Sequence, residues 1–470
     1  MSGLTLLDAM ADPQLMGRSF EGDSWETWRA VLSGAFALPQ TPSQRQTFQR
    51  LAKGRTRPTR RVRELFVIAG RRSAKSNVSA AVSVYLATIG ADVALSKLAP
   101  GEIPVIALLA CDRYQARVLS AYITGIMEAS PVLAGMIHKV AAESIELTSG
   151  VRIEILTNNY RAVRGRTLLA AILDEVAFYR SDATANPDLE VYRAVIPSLA
   201  TTGGLLVGIS SPYSKKGLLW SKYKKHFGKD GDVLVVQGST RDFNPTLDKA
   251  IIDEAMEDDP EAAKAEWFGQ FRNDIAGFVT REVAEACVSA GVFERGRLDG
   301  VSYYGFCDPS GGSSDSMTMA IAHAEGERIL IDLIREAKPP FSPESVAQEF
   351  AETFLAYGIT TIEGDRFAGE WPREQFQKHG VRYSASAAPK SELYKSLLPR
   401  LNSGQIDLID NQRMLNQLCN LERRTARGGR DSVDHAAGQH DDLINSVAGV
   451  AAMVKQRAPA VPGLMKSRAA

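Results

Sequence analysis

The sequence predicts an α/β protein of more than one domain, with a mostly parallel sheet first and a second strand-and-helix region after it. Three observations carry that prediction. Between residue 61 and about 242, apolar strand-like runs (FVIAG, PVIALLAC, VRIEIL, LLAAILDE, GLLVGISS) alternate with helical stretches such as SAAVSVYLATI. Strands interleaved with helices imply parallel pairing and a sheet covered on both faces. From 243 to about 280 the pattern changes, since FNPTLDKAIIDEAMEDDPEAAKAEWFGQF has no strand signal and its apolar residues recur at helical spacing. After residue 300 strands return, and several now end in acids. At 470 residues the chain exceeds one ordinary core, so two or three domains are expected.

Taken in order, residues 1 to about 60 read as helical, with Pro39 and Pro42 breaking the pattern just before SQRQTFQRL. Arg50 to Arg63 then carries seven basic residues and no acid, which reads either as a solvated connector or as a nucleic-acid contact. Next comes FVIAGRRSAKS, a β-branched and aromatic run ending in small and polar residues, with Lys75 and Ser76 at the start of a helix. That order suits a phosphate-gripping turn. Backbone N–H groups from Gly70, Arg71, Arg72, Ser73 and Ala74 and the helix N-terminus cradle phosphate, Lys75 neutralises its charge, and the Ser76 hydroxyl ligates Mg²⁺. Ala69 and Ala74 stand where the usual pattern has glycine, and a Cβ at Ala74 crowds the loop.

LLAAILDE, about a hundred residues further on, is a buried-strand run ending in Asp174 and Glu175. At such a strand end the first acid holds Mg²⁺, and the second orients and deprotonates the attacking water. The two motifs, in this order, point to ATP binding.

In the last third, VSYYGFCDPSGG places Asp308 after an alternating strand, and MTMAIAHAEGERILIDLI reads as a hairpin turning at Glu325-Gly326-Glu327. ITTIEGDRFAG places Asp365 at another strand end, and QHDDLINSVAGVAAMV is a helix whose first turn carries Asp441 and Asp442. Carboxylates from separate strands and one helix can converge on two Mg²⁺ or Mn²⁺ ions, which together cleave a phosphodiester. The order of hairpin, later strand and C-terminal helix is the RNase H-like pattern.

Lys plus Arg equals Asp plus Glu, 55 against 55, so overall charge predicts no polyanion partner. The four cysteines show no C-x-x-C spacing, which argues against a disulfide framework or a zinc site and fits a reducing cytoplasm. No basic-then-apolar leader and no long apolar window indicate secretion or a membrane span.

Together these motifs resemble the large terminase subunit of tailed double-stranded DNA bacteriophages, over roughly residues 25 to 455. The resemblance implies a P-loop ATPase over 1–242, including the N-terminal helical segment, a helical lid or linker over 243–280, and an RNase H-like nuclease over 281–455. A basic tail over 456–470 is expected to be disordered. By the same resemblance Arg71 senses the γ-phosphate, Ser210 and Ser211 form a coupling motif, and Gln44, ahead of Gln46, contacts adenine. Asp308, Asp365 and Asp442 match the family's metal-binding acids, with Asp441 assisting. It further implies ATP and Mg²⁺ (or Mn²⁺ in the nuclease) as cofactors, and double-stranded DNA, a small terminase subunit and the portal protein as partners. A homo-oligomeric ring on the portal, in the host bacterial cytoplasm, completes the expectation. Arg423, Arg424, Arg427, Arg430, Lys390 and Lys395 are candidate DNA-phosphate contacts or solvated surface charge. The competing readings are a helicase or repair ATPase fused to a nuclease, and a catalytically inactive prophage scaffold.

Overall fold

The structure is a computed structural model describing residues 3–157, 163–179, 187–313, 315–365, 370–425, 431–436 and 439–454. The described residues divide into two compact units, one ending at Asn273 and the other beginning at Asp274. Arg427, Arg430 and the basic tail lie outside the described residues.

The first unit contains strands β1 (Glu64–Ala69), β2 (Pro104–Ala110), β3 (Ile137–Ala141), β4 (Ser144–Leu147), β5 (Arg152–Thr157), β6 (Thr167–Asp174), β7 (Leu205–Ser210) and β8 (Val233–Gly238). They form one sheet in the order β3-β4-β5-β2-β6-β7-β1-β8. From β5 to β8 every pairing is parallel, and the two edge pairings, β3-β4 and β4-β5, run antiparallel. Every residue of β1, β2 and β7 is buried, which is why these segments read as unbroken apolar runs rather than alternating ones. The helix Lys75–Ala87, rich in alanine, serine and valine, is itself buried along most of its length.

Before this sheet lie helices Leu6–Ala11, Glu26–Ala35 and Pro42–Leu51. Pro42 does not break the last of these. It occupies the first helical turn behind the Thr41 cap, where its missing N–H has no partner to lose. The stretch after β8 is helical over Thr240–Phe243, Lys249–Asp258 and Pro260–Glu266.

The second unit opens with β9 (Ile275–Gly277), inside the stretch that the sequence reads as free of strands. Its three residues are too few to show a periodicity, and it owes its conformation to pairing with Glu422–Arg424. The remaining strands are β10 (Val288–Ser289), β11 (Tyr303–Asp308), β12 (Met317–Glu325), β13 (Arg328–Ala337), β14 (Thr361–Gly364), β15 (Arg382–Ala385), β16 (Ile406–Ile409), β17 (Leu421–Thr425) and β18 (Asp431–His435). Seven of them form a mixed sheet in the order β10-β16-β13-β12-β11-β14-β15, and β18-β17-β9 form a small antiparallel one. The hairpin expected around Glu325 to Glu327 is β12-β13.

Period-two alternation sorts this unit's core onto two faces. Phe306, Ala320 and Ile331 pack with Leu443, Ile444 and Val447 of the helix Asp442–Met453, while Cys307, Met319 and Ile321 pack with Phe350, Phe354 and Phe376. Gly449 lets that helix come close, since a Cβ there would stand 2.5 Å from the Phe306 ring.

Candidate functional sites

In the first unit, β1 ends at Ala69 and the helix begins at Lys75, so residues 70–74 form the connecting turn. The turn requires positive φ at two residues that are not glycine, Arg72 (60°) and Ala74 (60°). Such conformations are costly and persist only where the surroundings enforce them. Here they do. Trp28 Nε1 donates to the Ser73 carbonyl (2.8 Å), the Thr240 hydroxyl to the Arg71 carbonyl (2.8 Å), and Asn244 Nδ2 to the Arg72 carbonyl (2.9 Å). The Arg71 N–H donates to the Glu266 carbonyl, and its guanidinium pairs with the Glu266 carboxylate at 3.1 Å. Gly70 leaves no room for a larger residue, because a Cβ there would meet the Thr240 hydroxyl at 2.2 Å.

The turn borders a cavity of about 690 Å³ lined by Arg71 through Asn77, Cys111, Asp112, Gln115, Tyr122, Glu175, Phe178 and Ser211. Lys75 is buried, and its ammonium donates to the Ala69 and Gly70 carbonyls (3.2 and 3.0 Å) and to the Ser211 hydroxyl (3.1 Å). Glu175 holds a left-handed backbone (φ 48°) just past β6, and its carboxylate lies 3.5 Å from Lys75. That carboxylate also accepts from the Ser210 hydroxyl (3.0 Å) and the Ser211 N–H (3.1 Å). Asp174 sits behind Ser76, whose hydroxyl donates to it at 3.4 Å. Burial, reinforced by Glu175, pushes the Asp174 carboxyl up to about 7 against the opposing pull of Lys75. Its Oδ1 is buried with no hydrogen-bond partner among the described residues. A hard cation held by Ser76 and Asp174 would satisfy that oxygen, so the residues fit Mg²⁺. Gln44 is engaged elsewhere, closing a capping box with Thr41 and bonding Glu26 (3.3 Å).

In the second unit, β11 and β14 run parallel with Cys307 opposite Gly364, which brings Asp308 and Asp365 to the same end of the sheet. Asn445, three residues beyond Asp442 and so on the same helix face, donates its single amide group to both, at 2.8 Å to Asp308 and 3.1 Å to Asp365. These acids and Asp442 line a cavity of about 410 Å³ together with Ser310, Asp315, Ser316, Lys390, His435, Gln439, His440, Asp441 and Asn445. Burial drives the Asp308 carboxyl well above the usual range, with Asp365, Asp442 and Asp441 adding to it and the Asn445 bond opposing. Burial and Asp441 likewise push Asp442 up to about 6. Asp442 Oδ2 is buried with no hydrogen-bond partner among the described residues. Carboxylates crowded together away from water are stable as anions only beside a cation. The all-oxygen donor set therefore fits Mg²⁺ or Mn²⁺.

Asp441 lines the same cavity but is engaged by other side chains. As the residue capping the helix Asp442–Met453, it accepts from the Lys390 ammonium (2.8 and 3.0 Å) and the Tyr394 hydroxyl (2.7 Å). Of the candidate surface cations, Lys390 thus lies in this cavity, Lys395 bonds Glu392 (2.9 Å), Arg423 pairs with Asp431, and Arg424 lies 3.5 Å from Glu422. Sequence reasoning misses Trp28, Thr240, Asn244, Glu266, Tyr394 and Asn445. Only Asn445 has a local signal, its spacing from Asp442.

The chain thus carries two separate sites, a strand-turn-helix cavity with a buried lysine and paired acids, and a carboxylate cavity suited to divalent cations. No protein-family model matches the sequence, and no curated protein matches it. Among solved structures, the chain is similar to the large terminase of bacteriophage HK97, at 15% identity over 92% of this chain and all of that one, with a TM-score of 0.39. It is similar at 11% identity to the large terminase of a thermophilic bacteriophage, over 92% of this chain and 99% of that one, with a TM-score of 0.39. The large terminase nuclease of thermophilic phage G20c with bound magnesium matches 37% of this chain and 98% of its own length, at 15% identity and a TM-score of 0.33.

Proposed function

We propose that this chain is the large-terminase subunit of a phage DNA-packaging motor, hydrolysing ATP in its first unit and cutting double-stranded DNA in its second. The observation that supports this reading is the presence on one chain of both cavities, each built at the carboxyl ends of sheet strands. Ligands of α/β sheets bind in that position.

In the first cavity the turn 70–74 and the N-terminus of the helix Lys75–Ala87 receive the phosphates of ATP. Lys75 exchanges its loop carbonyls for phosphate oxygens, Arg71 leaves Glu266 to meet the γ-phosphate, and Gln44 would have to leave its capping box and Glu26 to contact adenine. Ser76 and Asp174 hold Mg²⁺, which when bound neutralises phosphate charge. Glu175 orients and deprotonates water. Its bonds to Ser210 and Ser211 link that carboxylate to the end of β7, where the coupling motif of the resemblance falls. In the second cavity Asp308, Asp365 and Asp442 hold the divalent cations, which when bound activate water and stabilise the leaving oxygen. Asn445 keeps Asp308 and Asp365 turned toward the same point.

Domain roles follow the same reading: 1–242 as ATPase, 243–280 as lid or linker and 281–455 as an RNase H-like nuclease. Double-stranded DNA, a small terminase subunit and the portal are the partners, with a homo-oligomeric ring acting in the host bacterial cytoplasm. None of the helices among the described residues is long and apolar enough to cross a membrane. Purified protein should hydrolyse ATP and nick plasmid DNA with Mg²⁺ or Mn²⁺. Loss of both activities in well-folded protein would favour the scaffold reading, and ATP-driven strand separation would favour the helicase.

A further inference from the structure

Beside the three acids of the second cavity stands another group with the makings of a cation site. One ligand atom from each of Asp434, His435 and Asp441 lies within 4.8 Å of the others. His435 Nδ1 lies 2.9 Å from the Ala436 carbonyl, which can only accept, so Nδ1 is the donor and Nε2 is the ring nitrogen left to face Asp434. A mixed nitrogen and oxygen set of this kind suits Mn²⁺ or Zn²⁺ better than Mg²⁺. A cation is already seated there, however. The Lys390 ammonium lies 2.8 Å from Asp441 and 3.4 Å from Asp434, and Tyr394, one turn further along the same helix, donates to Asp441 at 2.7 Å. Ser391, between them in sequence, accepts from the Val433 N–H (2.9 Å), so the first turns of this helix hold both β18 and the cap of the helix Asp442–Met453.

We propose that Lys390 is a built-in cation that fills the Asp434–His435–Asp441 group, takes Asp441 out of the metal-ligand set, and so limits the ions of this cavity to those held by Asp308, Asp365 and Asp442. This deepens the metal reading of the three acids and rests on it. Lys390 is a positioning residue. The ammonium stands between Asp441 and Asp434 where an ion would have to sit, and its positive charge repels a further cation there. Burial opposes its charge, yet Asp441, Asp434 and Asp308 hold it above its ordinary range. Asp441, fixed between Lys390 and Tyr394, stands at the N-cap position immediately before Asp442.

The test counts Mn²⁺ ions bound by the full-length protein, by equilibrium dialysis with electron paramagnetic resonance of the free ion. Lys390→Met should bind one ion more than wild type, and His435→Ala added to Lys390→Met should remove it again. Lys390→Arg, which keeps a cation, should keep the wild-type count, and so should Asp441→Asn. Cleavage by Lys390→Met should also be inhibited at Mn²⁺ concentrations that leave wild-type cleavage unaffected, a change that damaged packing alone does not produce. An unchanged count in folded Lys390→Met, or an ion lost in Asp441→Asn, overturns the proposal. Should Lys390→Met fail to fold, Asp441→Asn decides alone. Asp308→Asn reports separately on the underlying reading: if it binds as many ions as wild type, the three acids are not the metal ligands, whatever Lys390 does.

Discussion

Lys75 and Glu175 face each other across 3.5 Å, one from the helix that follows β1 and the other from the residue that follows β6. Neither is aligned by its own backbone alone. Lys75 is held by two loop carbonyls and Ser211, Glu175 by Ser210 and the Ser211 N–H. On the proposed reading, an arriving phosphate would compete for the lysine, whose departure from Glu175 would free that carboxylate for water.

Glu175→Gln therefore keeps the size and the Ser210 contact but cannot take a proton. ATP should still bind, while steady-state hydrolysis should fall by about 10²-fold or more. Turnover at the wild-type rate would remove Glu175 from the role of base.

Arg71 pairs with Glu266 on a partly exposed surface, where such a pair contributes little to stability, about 1 kcal/mol or less. Arg71→Ala should accordingly leave the melting temperature near wild type. It should lower kcat more than it raises KM for ATP, the pattern of an interaction made in the transition state. A rise in KM with unchanged kcat would show that Arg71 only binds.

Adjacent acids at the helix start should behave differently. Asp442→Asn should abolish DNA cleavage, whereas Asp441→Asn should only weaken it, with ATP hydrolysis spared in both. Asp442 also carries a sign that stability measurements can read. Its folded-state value of about 6 lies above the ordinary 3.8, so folding binds a proton there, and its contribution to stability is lost as pH rises from about 4 through 6. At pH 7 without metal, Asp442→Asn should thus raise stability, by roughly 1 kcal/mol or more. Mg²⁺ should stabilise the wild type but not the variant. A destabilised Asp442→Asn that still responds to Mg²⁺ would contradict the assignment.

The pairing of Ile275–Gly277 with Glu422–Arg424 places the start of the second unit at 274. A fragment beginning at 274 should fold and unfold cooperatively, and one beginning at 281 should be less stable because β17 loses its pairing with β9 and keeps only β18. Equal denaturation midpoints for the two fragments would show that β9 contributes nothing.

Much of this architecture is legible in the sequence for physical reasons. Strands buried on both faces must be continuously apolar, so β1, β2, β6 and β7 announce themselves, and the catalytic candidates at their ends follow from the parallel topology. Asp308 and Asp365 are legible one by one, but not their union, because the register that sets Cys307 opposite Gly364 is a tertiary fact. The supports are less legible still. Trp28, Thr240 and Asn244 hold the phosphate turn through backbone carbonyls, and such contacts leave no pattern in the donor's own segment. Pro42 misleads because a proline that opens a helix and one that breaks it look alike until the Thr41 cap is seen.

The most direct test of the central claim, two activities at two separate sites of one chain, measures ATP hydrolysis and plasmid cleavage side by side in wild type, Glu175→Gln and Asp308→Asn. The account predicts a double dissociation: Glu175→Gln loses ATP hydrolysis and still cuts DNA, while Asp308→Asn hydrolyses ATP and no longer cuts. Loss of both activities in either folded variant, or of neither, would contradict it.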